Sequence, residues 1–139
     1  MKPAVGLGLA LLGLAALLGL ASWLRQPPPR ASVQANCPDL TQACRAEIAG
    51  QAVTIRASAT PSGLKPFQLQ VAGGKAPLTA RFGMVGMDMG PIAVPLQAQA
   101  DGQLAAQVVL PLCVQGRRDW RLWLEGAEGT LEVSFTAGG

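Results

Sequence analysis

The sequence predicts an all-β chain, an immunoglobulin-like antiparallel β-sandwich of about seven strands preceded by one N-terminal transmembrane helix. Three features predict it. An uncharged apolar run extends from Pro3 to Leu24. From Gln51 onward apolar and polar residues alternate with period two in short runs. Breaks rich in Gly and Pro separate those runs.

The apolar run comes first, with Lys2 before it and Arg25 after it. Its length suits a helix across a bilayer core of about 30 Å. A secretory signal peptide is the other reading, with Gly19-Leu20-Ala21 as a small-residue cleavage site. An uncleaved anchor is preferred because the run continues through Trp23 and Leu24, and an indole suits the membrane interface. Flanking charge does not orient the segment, since Lys2 opposes Arg25 and Arg30. Its signal-like shape and the cysteines predict a single-pass protein whose C-terminal part is exported. Residues 1–24 are thus the anchor, 25–50 a Pro-rich linker and Cys-containing loop, and 51–139 the sandwich.

Arg25-Gln-Pro-Pro-Pro-Arg30 reads as a stiff spacer, because consecutive prolines favour polyproline II. Residues 31–50, polar and alanine-rich around Cys37 and Cys44, read as a loop with at most a helical turn. The alternating runs follow. They are Val53–Ala57, Phe67–Val71, Leu78–Phe82, Ile92–Leu96, Leu104–Leu112, Trp120–Leu124 and Leu131–Phe135. Pro91, Pro95 and Pro111 place a sheet edge among the fourth and fifth.

Composition excludes whole classes of chemistry. The chain has no histidine and no tyrosine, so no imidazole base and no His-ligated zinc, haem or blue-copper site can be built. Its carboxylates are scattered singly, and no enzyme is expected. Without Lys2, Arg25 and Arg30 the chain holds eight basic against eight acidic side chains. That balance leaves no phosphate-neutralising face for nucleic acid.

One motif stands apart. In Phe82-Gly-Met-Val-Gly-Met-Asp-Met-Gly90, Met84, Met87 and Met89 fall within six residues among three glycines. Thioether sulfur is a soft donor that prefers Cu(I), although methionine is also an ordinary core filler. Asp101-Gly102 between alternating runs signals a two-residue hairpin. With Ala100 facing Gln103, that register sets Cys113 opposite Gly90, beside Met89. Met84, Met87, Met89 and Cys113 then share one end of the sandwich as candidate metal ligands. Met84 has the parity of core residues. Cys113 has the opposite parity to Leu110, Leu112 and Val114, and points away from the core unless Pro111 introduces a bulge.

Cys37 and Cys44 suit a short disulfide in an exported protein. The first run should begin at the end away from the Met motif, which keeps Cys44 from Cys113 and favours the Cys37–Cys44 bridge. Cys37–Cys113 and Cys44–Cys113 remain open at this stage.

With these motifs the chain resembles the FixH and YtkA-like single-pass exported domains. Those have a membrane segment, a sandwich, a Met/Gly loop after the third strand and a late strand beginning at Trp, matched here by Gly83–Gly90 and Asp119-Trp120. It is also similar to bacterial membrane proteins with a C-x-L…C segment, a Gly-Met-x-Met-Gly loop and a Leu-Pro-x-Cys strand. Cys37-Pro-Asp-Leu40 with Cys44, Gly86–Gly90 and Leu110–Cys113 carry that likeness. The resemblance implies a role in copper-dependent oxidase assembly, with Pro91 where FixH-type loops often carry histidine. Two functions are expected: a domain that binds Cu(I) and hands it to a copper-protein partner, or an interaction module gripping a membrane protein through the Met/Gly loop.

Overall fold

A period-two pattern puts every second side chain on one face of a strand, so each alternating run has one face to hide. The computed structural model describes residues 13–21 and 32–139, apart from the side chains of Ser32, Asp88, Met89 and Pro91. Its strands are β1 (Ser32–Asn36), β2 (Cys44–Ile48), β3 (Gln51–Ala57), β4 (Pro66–Ala72), β5 (Leu78–Met84), β6 (Met87–Pro95), β7 (Gln97–Ala98), β8 (Leu104–Val109), β9 (Asp119–Gly126) and β10 (Thr130–Thr136). Two five-stranded sheets result, ordered β1-β10-β9-β5-β6 and β2-β3-β4-β8-β7. Pairing is antiparallel throughout except between β1 and β10, which run parallel. The chain is therefore a β-sandwich.

Every one of the seven runs is a strand, and three strands are added to them. β1 and β2 occupy the stretch expected to be a loop, so the sandwich begins at Ser32 rather than near Gln51. Residues 13–21 are helical. Among the described residues no helix is long and apolar enough to cross a membrane. Most of the expected span 3–24, and the whole of the Pro-rich spacer, lie outside the described residues.

The core lies between the sheets. Phe82 is fully buried at its centre, with its ring edge-on to Phe67 of the other sheet and to Phe135, centroids 6.3 Å apart in both cases. Such edge-to-face contacts add to area burial. Val53, Ile55, Leu69, Val71, Leu122, Leu124, Leu131 and Val133 fill the surrounding layer. Water-excluded apolar area of this kind is the main stabilising term of a sandwich, at roughly 25 cal/mol per Å².

Both sides of the sandwich are closed by the chain itself. On one, β6 leaves its sheet at Leu96, whose N–H donates to the Leu78 carbonyl, and continues as β7 in the other. On the other, β1 and β2 are the edges of opposite sheets, and the Cys37–Cys44 disulfide joins them. The favoured pairing is the one that forms. The expected placing of Cys44 at the end away from the Met motif does not hold, because Cys44 pairs with Ile55, well along β3. Since residues 44–48 are themselves a strand antiparallel to β3, Cys44 is not held at the end where β3 begins.

Candidate functional site

The two poles of the sandwich follow from strand direction. Met84 pairs with Trp120, and Phe135 pairs with the same Trp120. The end of β5, the start of β9 and the end of β10 therefore meet at one pole. β1 runs parallel to β10 with Ser32 beside Thr130, so the chain enters at the opposite pole. The Met motif builds the first pole as a hairpin: Met84 pairs with Met87 across Val85-Gly86. Gly86 takes φ +73° in that turn, a conformation that costs an L side chain energy. Gly83 has a different reason to be glycine, since a Cβ there would sit 2.9 Å from the Trp123 ring.

Past the hairpin the ladder shifts. It resumes at Phe82 and Ile92, so Gly83 alone on β5 stands against residues 88–91 on β6. A bulge of this size bends a strand and re-aims its side chains.

The 101–102 hairpin forms, but not in the expected register. The Gln99 N–H donates to the Gln103 carbonyl and the Gly102 N–H to the Gln99 carbonyl. Ala98 then pairs with Leu104. The loop holds one more residue than a two-residue turn. The expected ladder to Gly90 also cannot form, because β6 pairs with β5 in the other sheet.

Cys113 nevertheless reaches the Met hairpin. β8 ends at Val109 and Leu110 is fully buried, whereas Leu112 and Val114 are 61% and 91% exposed. Parity inverts past Pro111, the exception that its missing N–H allows. Cys113 is turned inward, half-buried against the core as a free thiol. Its Sγ lies 3.9 Å from Met87 Sδ. Met84 is 5% exposed and Met87 is partly buried on the same core. Met84, Met87 and Cys113 thus gather at one pole. Met89 lies in β6, with its side chain outside those described.

An ion pair borders the cluster. The Val85 N–H donates to the Asp119 carbonyl at 3.4 Å, which ties the hairpin to the start of β9, and the Gly116 N–H donates to the Cys113 carbonyl at 3.1 Å, which turns the 110–118 loop back on itself. Arg117 passes 3.4 Å from where a Gly86 Cβ would be. It forms a two-point ion pair with Asp119. That hydrogen bonding raises the Arg117 pKa, with smaller electrostatic help from the Asp119 charge and from Cys113, against a desolvation cost. Reciprocally, the Arg117 hydrogen bond, with a lesser one from Asp119's own backbone, holds the Asp119 carboxyl below its ordinary value.

Sequence reasoning missed the apolar character of this pole's surface. Leu64 is 66% exposed with φ +62°, a left-handed conformation in which a large branched residue is uncommon. Its backbone is pinned there by the Leu64 N–H donating to the Leu110 carbonyl at 2.8 Å. The signal was the odd placement of Leu after Pro61-Ser-Gly63, a turn sequence that rarely ends in an exposed aliphatic residue.

Among the described residues no three His, Cys, Asp or Glu side chains converge, so a metal held here would be held by thioether and thiol sulfur. Comparison with known proteins finds no matching family model, no matching curated protein and no matching solved structure.

Proposed function

We propose that the chain is a membrane-anchored periplasmic domain, immunoglobulin-like in architecture, that binds Cu(I) and passes it to a partner. Met87 and Cys113 are the central ligands, Met84 a third from the adjoining strand, and Met89 a fourth from the bulge. The observation that carries this reading is the 3.9 Å approach of the Cys113 and Met87 sulfurs. A first-row metal–sulfur bond of roughly 2.3 Å sets two ligands of a trigonal site about 4 Å apart. The approach is therefore near the spacing that one ion would demand. Soft neutral thioethers with a single thiolate suit a monovalent soft ion and disfavour Mg²⁺ or Ca²⁺. Burial of Met84 beneath the pair would shield the ion from water on one side.

Titration of the full chain in detergent with Cu(I) against a competing chelator tests the site. Binding tighter than about 10 μM is expected. Met87→Leu and Cys113→Ser should each weaken it by at least about tenfold, or about 1.4 kcal/mol. Unchanged binding in both variants would leave no metal site here.

A second reading is favoured by a different observation. Leu64, Leu112 and Val114 stand exposed together with the sulfur cluster's loops, and an apolar patch of this kind on an exported domain marks a contact surface. In that reading the same pole grips a membrane-protein partner, with the methionines as packing beneath it.

A further inference from the structure

A groove of about 200 Å³ opens beside Cys113, between the 58–65 and 110–118 loops and the residues 137–139 that follow β10. Leu112 forms one wall, Trp120 contributes to the floor, and Lys65, Arg117 and Arg118 line the rim. Arg117 is neutralised by Asp119. Lys65 and Arg118 make no ion pair among the described residues, although four other cationic side chains of the domain do. Two of the four cationic side chains without an ion pair among the described residues 32–139 therefore share one groove, lined by exposed Leu112 and adjoined in the chain by exposed Leu64 and Val114.

We infer that this groove docks a segment of a partner protein that carries both carboxylates and aliphatic side chains. The apolar walls and the Trp120 floor suit an aliphatic side chain set between them, and Lys65 and Arg118 face the flanking carboxylates. Complementary charge of this kind guides encounter and fixes register. An anionic bilayer offers the same two chemistries. It is disfavoured because Ser32, where the chain arrives from its apolar N-terminal segment, lies at the opposite pole. This choice of polypeptide over lipid rests on the anchored reading proposed above. The strained Leu64 fits the same role, since backbone strain that buys no core burial collects at binding sites.

The test uses the full chain reconstituted in phosphatidylcholine liposomes and three fluorescein-labelled nonapeptides, alternating Leu with Asp, Ser or Lys. Anisotropy should rise with the Leu/Asp peptide alone and should weaken as salt is raised, because exposed charges are screened. Lys65→Glu/Arg118→Glu, and separately Leu112→Ser/Val114→Ser, should each lower affinity at least about tenfold. Lys75→Glu at the other pole should leave it unchanged. Equal binding of all three peptides, or no binding of Leu/Asp, overturns the inference. So does clustering of added phosphatidylglycerol vesicles, read by light scattering, without peptide binding. Should the chain fail to float with the liposomes, the anchor reading falls, and the peptide measurement repeated in detergent decides the docking inference by itself.

Discussion

The two poles of the sandwich are built on different principles. Where the chain enters, β2 and β3 are joined through Ala49-Gly50, β9 and β10 through residues 127–129, and β7 and β8 through residues 99–103. Gly50, Gly73 and Gly102 there take φ near +80°, and Lys75 pairs with Glu128 across the surface. At the other pole three connections are long, residues 37–43, 58–65 and 110–118. They carry exposed Leu64, Leu112 and Val114, the free thiol, and the cations Lys65 and Arg118. Short turns fix strand register and leave little surface to adapt, whereas long loops on a rigid frame are where binding resides. One pole is scaffold, and the other carries the proposed site.

The sharpest way to break that contrast is Gly73→Ala. A Cβ there would lie 2.5 Å from the Ala52 carbonyl oxygen, at φ +80°. A loss of about 3 kcal/mol is expected from the clash and the left-handed backbone together, read by chemical denaturation. A loss under about 0.5 kcal/mol, the usual scale of surface changes, would show that this pole is as permissive as the other.

Next comes the disulfide, which secures the crossover at the site pole. Cys37→Ser/Cys44→Ser should cost about 2–3 kcal/mol by releasing a short closed loop in the unfolded chain. Melting under reducing and oxidising conditions measures it. The Cys113–Met87 approach is expected to survive, so Cu(I) affinity in the folded variant should stay within about threefold, a difference of under 1 kcal/mol.

Leu64→Asn carries a smaller effect of opposite sign. Asn tolerates the left-handed region that Leu64 occupies, and Leu64 hides little of its side chain. Stability should hold or rise by about 0.5 kcal/mol while docking of the acidic peptide weakens. A loss of more than 1 kcal/mol, well outside surface behaviour, would make Leu64 a packing residue instead.

The smallest effect is that of pH on the Arg117–Asp119 pair. The Asp119 pKa is lowered in the folded chain, chiefly by the Arg117 hydrogen bond. The contribution is therefore complete above the ordinary carboxylate value of 3.8 and is lost as pH falls through the lower folded value. Both groups are exposed, so the loss is local to the 110–118 loop. An NMR titration of the Asp119 carboxyl should give a midpoint under the ordinary value; a midpoint above it would mean the pair is not formed in solution.

Much of this plan was legible in the sequence. All seven alternating runs are strands, since each has a face of large apolar residues to bury. The edge at β6 was legible from Pro91 and Pro95, but the edge strands β1 and β2 were not. Ser32-Val-Gln-Ala-Asn36 has a single large apolar residue, and Cys44-Arg-Ala-Glu-Ile48 gains its order from pairing along β3 and from the disulfide. Alternation cannot reveal a strand whose partner, β10, lies at the far end of the chain. At the candidate site the sulfurs were expected together by a hairpin ladder, and Met87 and Cys113 do meet. They meet across the end of the sandwich, Met87 from the start of β6 and Cys113 from the loop after β8, after a register one residue off and a parity break at Pro111. A turn's residue count and a proline's local kink are decided by a few dihedrals, which periodicity does not encode.

The parallel seam between β1 and β10 has a mechanical consequence. Any pull along the strand axis, between Ser32 and a partner seated on the Met hairpin, runs lengthwise through that seam from Ser32–Thr130 to Asn36–Ser134. Its hydrogen bonds are then sheared all at once instead of being unzipped in turn. Were the proposed anchor and the proposed partner both engaged, this seam would carry the tension between them.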